Sequence, residues 1–277
     1  MEYIANFTSL IDRYTLFLFD QFGVLHNGSR PYRGMQQALA ELKQYGKRIA
    51  VISNSGKRAS VNAERIANFG YGGDLIDRVY TSGELAWLRL KELTRHHTED
   101  TPLSVYYFGN DDDRSALSGM PITEIQNPAH ADLIIIGGMG APIRTEANYN
   151  HFLQEAASGG VPAYCTNPDL LSFYKNGSVK MGPGRIANIY QELGGQCSYF
   201  GKPHPEIYNH ILNDFGVTAR QTICIGDSVE HDVLGASRAG CSSVLVRTGI
   251  HENLDDKQLL ALYRKTATRP DYVLQRT

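Results

Sequence analysis

The chain has 277 residues, enough for one large α/β domain or two moderate ones with a buried core. Its formal net charge of −2 provides no basic surplus, which argues against a nucleic-acid partner. No apolar stretch approaches the ~20 residues of a membrane span, and the N-terminus lacks a signal-peptide pattern. The four cysteines are scattered without CxxC spacing, so we predict that the protein lies in a reducing, cytoplasmic compartment. We also expect it to have no membrane partner.

Short apolar strands, each followed by a polar loop and a helical pattern, recur at both ends of the chain. The first, Leu16–Phe19, is too apolar for a half-exposed strand and is typical of one buried on both faces of a parallel sheet. It ends at Asp20, where open α/β sheets place their chemistry. The other strands of this kind are Arg48–Ile52, Thr222–Ile225 and Ser242–Val246.

Helices with apolar spacing near 3.6 residues separate these strands, and each ends at a glycine. The helix containing Met35, Leu39 and Leu42 ends at Gly46. The two others are the Ile186–Leu193 helix before Gly194 and the Ile207–Phe215 helix before Gly216. Glycine suits the left-handed position after a helix. Strands that alternate with helices in this way predict an α/β fold with a Rossmann-like parallel sheet.

The middle third has a strand–helix rhythm of its own. Three strands, Ser104–Phe108, Ala131–Ile136 and Val161–Cys165, accompany a helix over Tyr149–Ala157. We therefore predict a core domain formed by residues 1–83 and 182–277, with a smaller α/β domain inserted at residues 84–181.

Four loops at strand ends carry polar residues that together supply the parts of a phosphoryl-transfer site. They are Asp20, Ser53-Asn54, Gly201-Lys202-Pro203 and the segment Gly226–Asp232. A carboxylate at Asp20 can attack phosphorus and form an aspartyl-phosphate. Asp20 and Asp227 can hold Mg²⁺ through oxygen ligands and reduce the repulsion between two anions.

The remaining polar residues fit the same reaction. Ser53 offers a hydroxyl and backbone N–H groups to phosphoryl oxygens. Lys202 supplies positive charge for the transition state. Asp232 follows Asp227 by five residues, and we expect it to orient Lys202.

These four blocks, in this order, resemble motifs I to IV of the haloacid dehalogenase superfamily. The inserted segment resembles the α/β cap of its class IIA phosphatases, which include the N-acetylglucosamine-phosphate and para-nitrophenyl-phosphate phosphatase groups. Further similarity lies in His26-Asn27-Gly28, Tyr80-Thr81-Ser82, Thr166-Asn167-Pro168-Asp169 and Gly182-Pro183-Gly184.

The resemblance implies a magnesium-dependent phosphatase of a small, sugar-phosphate-like metabolite, with a cap domain that sets specificity. It implies Asp20 as nucleophile, and it adds the backbone carbonyl of Phe22 to Asp20 and Asp227 as magnesium ligands. A homodimer that forms through the cap would also fit this family. The residues expected to contact substrate are Ser53, Asn54, Lys202, His26, Asn167 and Asp169.

Phe22 departs from the family pattern, because the phosphatases usually have a second Asp there. That Asp protonates the leaving group and later activates water, and phenylalanine can do neither. Three hypotheses follow: a phosphatase with altered acid–base chemistry, a phospho-ligand-binding protein with little turnover, or a 2-haloacid dehalogenase. His26 is the nearest titratable residue in the sequence, and it can replace the acid, bind substrate or cap a turn.

Overall fold

The computed structural model describes residues 1–109, 113–140, 142, 144–173 and 179–274. The chain divides into two compact units. The core unit comprises Met1–Ser53, Ser60–Tyr80 and Lys202–Thr277. The insert unit comprises Asn54–Ala59 and Thr81–Gly201.

Strands and helices alternate along most of the described chain. The strands are β1 (Glu2–Ile4), β2 (Leu16–Asp20), β3 (Arg48–Ser53), β4 (Arg78–Thr81), β5 (Leu103–Phe108), β6 (Ile122–Glu124), β7 (Leu133–Ile136), β8 (Ala163–Cys165), β9 (Leu171–Phe173), β10 (Val179–Met181), β11 (Cys197–Tyr199), β12 (Thr222–Gly226), β13 (Ser242–Val246) and β14 (Tyr272–Leu274). The α-helices are α1 (Met35–Gln44), α2 (Ala59–Ile66), α3 (Ser82–Leu93), α4 (Glu146–Ser158), α5 (Pro183–Glu192), α6 (Pro205–Phe215), α7 (Leu234–Arg238) and α8 (Asp256–Thr266).

The core unit contains a seven-stranded sheet in the order β1-β14-β13-β12-β2-β3-β4. Every neighbouring pair from β1 to β3 is parallel. Leu16, Phe17, Leu18 and Phe19 of β2 are all 0% exposed, so this strand is buried on both faces. The α/β parallel-sheet fold predicted from the sequence is confirmed.

The glycines that end the predicted helices have the expected backbone conformation. Gly46, Gly194 and Gly216 have φ values of 68°, 91° and 60° and follow α1, α5 and α6, respectively. A residue with a side chain rarely adopts this left-handed conformation, which explains why these helices end where they do. Among the described residues, no helix is both long enough and apolar enough to cross a bilayer.

Both faces of the core sheet are covered by apolar side chains. On one face, Phe17 and Phe19 of β2 pack in a cluster with Leu39 and Leu42 of α1. In a second cluster, Leu245 of β13 packs with side chains of α8. Burial on both faces makes the strands rigid, and it leaves the strand ends as the places where polar side chains can gather.

The insert unit has its own parallel sheet of five strands, in the order β11-β8-β7-β5-β6, and a separate antiparallel hairpin of β9 and β10. Helices α4 and α5 cover this sheet. Tyr149 and Leu153 of α4 and Ile186 and Tyr190 of α5 lie with strand residues in one buried cluster.

The end of the insert differs from the sequence-based boundary at residues 181 and 182. Helix α5 buries its apolar side against the insert sheet, and Cys197 of β11 pairs with Ala163 of β8. Residues up to Gly201 therefore belong to the insert unit. The sequence assigned them to the core because an amphipathic helix does not reveal which of two sheets it covers.

Candidate active site

Asp20 is the last residue of β2 and lies at the carboxyl edge of the core sheet. Its side chain is buried. The carboxylate oxygen Oδ1 accepts a hydrogen bond from the backbone N–H of Gln21 at 2.7 Å and lies 2.7 Å from Lys202 Nζ. Among the described residues, no donor contacts the other oxygen, Oδ2. One oxygen is thus held by the protein, while the other is available for chemistry.

Lys202 joins this nucleophile candidate to a second buried carboxylate. Its ammonium group is 2.7 Å from Oδ1 of Asp20 and donates to Oδ1 of Asp232 at the same distance. The second oxygen of Asp232 accepts a hydrogen bond from Ser228 N–H at 3.1 Å. Burial alone would lower the pKa of Lys202, but the two carboxylates outweigh it and hold that pKa above its ordinary value. Lys202 is therefore a charged lysine in a fixed position.

Asp227 follows β12 directly and is 1% exposed. Its Oδ2 accepts a hydrogen bond from the backbone N–H of Ile250 at 2.6 Å. Asp20, Asp227 and Asp232 can each place one carboxylate oxygen within 4.8 Å of the other two. Strands β2 and β12 are adjacent in the sheet, which explains how residues far apart in the sequence meet.

The buried charges of Asp20, Asp227, Asp232 and Lys202 favour the binding of a cation. Three buried carboxylates face one buried ammonium, so the fully ionised group carries an excess of negative charge. Burial raises the pKa of Asp20 to about 7, although Lys202 opposes the shift. Burial also raises the pKa of Asp227 well above its ordinary value, and the neighbouring carboxylates add to the effect. A bound cation would favour the ionised forms of both residues.

The oxygens that a cation could use can be identified from the hydrogen bonds. Both oxygens of Asp232 are engaged, by Lys202 and by Ser228. Asp20 and Asp227 each retain one oxygen without a donor from the described part of the chain. These two carboxylates provide the hard oxygen ligands that Mg²⁺ prefers, and a nearby backbone carbonyl can complete such a set.

Phe22 places an aromatic ring where the family has an acid. The ring is 38% exposed and meets the His26 ring edge-to-face, with 6.1 Å between centroids. Gly28 leaves room for it, since a Cβ built at that position would lie 3.2 Å from the phenyl ring. No ionisable group is supplied by this side chain.

His26 is fully buried beneath that ring. Its Nδ1 accepts a hydrogen bond from Gly28 N–H at 2.9 Å, so in the neutral ring the proton lies on Nε2. The Gln21 side-chain amide lies 3.2 Å from Nε2. Because Nε2 carries the proton, it donates a hydrogen bond to Gln21, and the acceptor is the amide oxygen of that side chain. The ring also stacks on Phe69 at 4.5 Å. Burial, with a contribution from Arg65, lowers the pKa of His26 to about 4.

The contacts of His26 do not favour the roles in substrate binding or acid–base chemistry that the sequence suggested. The imidazole is neutral near pH 7, 0% exposed, and uses both nitrogens within its own turn. The hydrogen bonds of His26 favour the remaining role, a residue that caps the turn from Gln21 to Gly28.

Ser53 ends β3 beside the nucleophile candidate. Asp20 pairs with Ile52 in the parallel ladder, so Ser53 lies one residue further along the same edge of the core sheet. Its side chain is 8% exposed. Asn54 begins the insert unit, where its amide donates a hydrogen bond to Oδ1 of Asp169 at 2.8 Å.

The 167–170 loop of the insert unit is held closely by its surroundings. Asn167 Oδ1 accepts a hydrogen bond from Asp169 N–H at 3.1 Å. A Cβ at Gly182 or Gly184 would lie 2.2 Å or 2.1 Å, respectively, from a backbone oxygen of this loop. The loop is thus preorganised by close backbone packing, and Asn54 contacts it directly.

Sequence reasoning missed the loop after β13, which contacts both Asp227 and the turn after β2. Thr248 Oγ1 donates to the Gly23 carbonyl at 2.5 Å, and Ile250 N–H donates to Asp227. Gly249, which follows an apolar strand as Gly23 does, was the available signal in the sequence. A backbone N–H carries no residue-type signature of its own.

Comparisons with known proteins identify relatives of this chain. A haloacid dehalogenase-like hydrolase family model matches residues 17–123, and a HAD-hydrolase-like family model matches residues 199–276. The chain is 28% identical to Chronophin of Homo sapiens over 247 residues, which covers 84% of this chain and 81% of that protein. It is 25% identical to 4-nitrophenylphosphatase of Schizosaccharomyces pombe over 289 residues, which covers 98% of this chain and 94% of that protein.

A solved structure shares the fold. It is a hydrolase of the haloacid dehalogenase-like family from Brucella suis 1330, with a TM-score of 0.81, 24% sequence identity and 98% of both chains covered. The two family models contain all four loops of the candidate site, with Asp20 and Ser53 in the first and Lys202, Asp227 and Asp232 in the second. The chain belongs to the haloacid dehalogenase-like hydrolases.

Proposed function

We propose that this haloacid dehalogenase-like phosphatase is a Mg²⁺-dependent enzyme that hydrolyses a small, sugar-phosphate-like metabolite through an aspartyl-phosphate on Asp20. The observation that carries the proposal is the buried pairing of Asp20 and Asp232 with Lys202, beside Asp227. Such a costly arrangement of charges is typical of functional sites.

In the first step one carboxylate oxygen of Asp20 attacks phosphorus. A bond forms between that oxygen and phosphorus while the bond to the ester oxygen of the substrate breaks, and the leaving group departs with the electron pair. In the second step water adds to phosphorus of the aspartyl-phosphate. Inorganic phosphate leaves, and the carboxylate of Asp20 is regenerated.

Lys202 and Ser53 stabilise the phosphoryl group during both steps. The charged ammonium of Lys202 is held at the nucleophile by Asp232 and offers a fixed positive charge to the phosphoryl oxygens. Ser53 provides a hydroxyl at the same strand edge. Because Lys202 is fixed before substrate arrives, its ammonium group needs little reorganisation in the transition state.

The free oxygen of Asp227, the carboxylate oxygen of Asp20 that does not attack phosphorus, and the carbonyl of Phe22 would hold the Mg²⁺. When bound, this ion supplies charge neutralisation between the carboxylate and the phosphoryl oxygens. The excess negative charge of the buried group and the raised pKa of Asp227 support a cation here.

The aromatic ring of Phe22 defines the substrates that we expect to react fastest. No side chain at that position protonates the leaving group, and His26 is buried and neutral. Leaving groups that depart without a proton should therefore be favoured, which means acyl, anomeric and aryl phosphates over simple alkyl phosphates. The similarity to a 4-nitrophenylphosphatase is in keeping with an aryl leaving group.

A second candidate is a protein that binds a phosphorylated ligand with little turnover. Phe22 favours this alternative, because the described part of the turn from Gln21 to Gly28 supplies no replacement acid. The insert unit, with its preorganised Asn167–Asp169 loop, would then recognise the ligand without chemistry.

A panel of alkyl, sugar and aryl phosphates, assayed with MgCl₂ or with EDTA, tests both candidates. We expect turnover only with MgCl₂, and a loss of about 10³-fold or more in kcat for Asp20→Asn. Unchanged turnover by Asp20→Asn would contradict the nucleophile assignment. Tight binding of one phosphate without hydrolysis would favour the binding protein, and chelator-resistant halide release from a 2-haloacid would favour a dehalogenase.

A further inference from the structure

We propose that the turn formed by Thr248–His251 positions the Asp227 carboxylate and makes the metal site select Mg²⁺ over Ca²⁺. This inference rests on the proposed magnesium site. We call this segment, residues 248–251, the clamp turn.

The clamp turn is fastened at three points to the parts of the core unit that build the site. Thr248 Oγ1 donates to the backbone carbonyl of Gly23, in the turn after β2, at 2.5 Å. The N–H of Ile250 donates to Oδ2 of Asp227 at 2.6 Å. His251 Nε2 lies 3.2 Å from Val229 N and 3.1 Å from a carboxylate oxygen of Glu230, in the segment after β12. The turn therefore bridges the loops that follow two neighbouring strands.

Two glycines bring the backbone against the same carboxylate from different segments. Gly249 has a φ of 57°, and a Cβ there would lie 1.9 Å from Oδ2 of Asp227. Gly23 has a φ of 86°, and its Cβ would lie 2.1 Å from that oxygen. No side chain fits at either position. The carboxylate is thus enclosed by backbone, and rotation of the Asp227 side chain is restricted.

The Ile250 N–H determines how this carboxylate can bind a cation. It occupies Oδ2, while Oδ1 has no donor among the described residues. A carboxylate held in this way offers one oxygen. Ca²⁺ commonly takes six to eight oxygens and often binds carboxylates through both of them, whereas Mg²⁺ takes about six with few from protein. Fixing one oxygen of Asp227 therefore penalises Ca²⁺ more than Mg²⁺.

The sharpest test removes the N–H alone. Ile250→Pro deletes the donor, and Ile250 is the second residue of a short 3₁₀ turn, where the φ of proline is tolerated. Ile250→Ala is the matched control, because it shortens the side chain and keeps the N–H. The second pair is Thr248→Val, which loses the hydroxyl at nearly constant volume, and Thr248→Ser, which keeps it.

Mg²⁺ and Ca²⁺ dissociation constants are measured by calorimetry on the substrate-free full-length protein. For Ile250→Ala and Thr248→Ser we expect both constants within about twofold of wild type. For Ile250→Pro we expect Mg²⁺ binding to weaken at least fivefold and the preference for Mg²⁺ over Ca²⁺ to fall at least threefold. Thr248→Val should change the preference in the same direction by a smaller factor.

Thermal unfolding without metal identifies variants that fail to fold. If Ile250→Pro unfolds, Thr248→Val alone decides the question. A folded variant of either kind that keeps the wild-type preference would overturn the proposal. If wild type hydrolyses phosphates with MgCl₂ but the variants keep the wild-type preference for Mg²⁺ over Ca²⁺, the proposal about the clamp turn is wrong and the proposed function stands. If wild type neither binds Mg²⁺ nor turns over, the proposed function fails first.

Discussion

Replacing Phe22 with aspartate tests whether the missing acid limits this enzyme. The phenyl ring is 38% exposed, so a carboxylate at this position remains accessible to a bound leaving group. The backbone of the turn is held separately, by the hydrogen bonds of His26 to Gly28 and Gln21. Phe22→Asp should therefore introduce an acid without displacing Asp20.

The expected gain depends on the leaving group. A well-positioned general acid typically contributes about 10²–10⁴-fold. An introduced carboxylate is less well placed than an evolved one, so we expect a gain at or below the lower end of this range, about 10–100-fold in kcat for alkyl phosphates, or roughly 1.4–2.7 kcal/mol of barrier. For 4-nitrophenyl phosphate, whose leaving group needs no proton, the change should stay within about threefold.

The change also removes packing, and this sets the control. The ring packs against His26 and Gly28 and is partly exposed, so its loss should cost about 1–2 kcal/mol in the free energy of unfolding. Phe22→Asn has the same size and the same loss of packing as Phe22→Asp, but it cannot donate a carboxylic proton. Comparing these two variants separates acid catalysis from a simple opening of the site.

The assay is the dependence of log kcat on the leaving-group pKa, across aryl and alkyl phosphates with saturating MgCl₂. Wild type should show a steep decline as the leaving-group pKa rises, and Phe22→Asp a shallower one. A flat line for wild type would refute the reasoning, because it would mean that the proton is supplied by another route. Equal gains for Phe22→Asp and Phe22→Asn would do the same.

Three further predictions follow from the charges and their burial. Asp232→Asn should loosen Lys202 and lower kcat by about 10–100-fold with a smaller change in KM, measured by steady-state kinetics on one aryl phosphate. Mg²⁺ at a hundred times its dissociation constant should increase the free energy of unfolding by about 2.7 kcal/mol and raise the melting temperature accordingly. Asp227→Asn should abolish most of that rise in melting temperature. The pKa of His26 is about 4 in the folded protein and higher in the unfolded chain. Its contribution to the free energy of unfolding is therefore complete above the unfolded pKa and is lost as pH falls toward 4. The melting temperature of His26→Gln should accordingly depend less on pH over this range.

The fold and the order of the site residues could be predicted because their signals are local. An apolar run such as Leu16–Phe19 requires burial on both faces, and a glycine after an amphipathic helix marks its end. Once a parallel sheet is inferred, its carboxyl edge must gather Asp20 and Asp227, whatever their separation in the chain. The insert boundary could not be predicted in the same way, because helix α5 has one apolar side and two sheets that it could cover.

The role of His26 required knowledge of what surrounds it. A histidine near a nucleophile is a reasonable candidate for acid–base chemistry, and its residue type cannot distinguish that role from a buried turn. Phe69 on one side and the Gln21 amide at Nε2 favour the buried turn. The clamp turn was missed for a related reason, since the donor to Asp227 is a backbone N–H that every residue except proline carries.

The cost of the buried charges argues for turnover despite Phe22. Enclosing three carboxylates with one ammonium costs several kcal/mol per unpaired ion, as the raised pKa values of Asp20 and Asp227 indicate. A site that only binds a phosphate, which is itself an anion, gains nothing from an additional buried carboxylate beside it. Repulsion between Asp20 and the phosphate would weaken such binding. The same carboxylate is an advantage when it attacks phosphorus, because the bond that forms offsets the repulsion. Asp20→Asn therefore distinguishes the two candidates by turnover: a pure binder has no reaction to lose and should hold phosphate more tightly as the variant, whereas the enzyme loses its reaction.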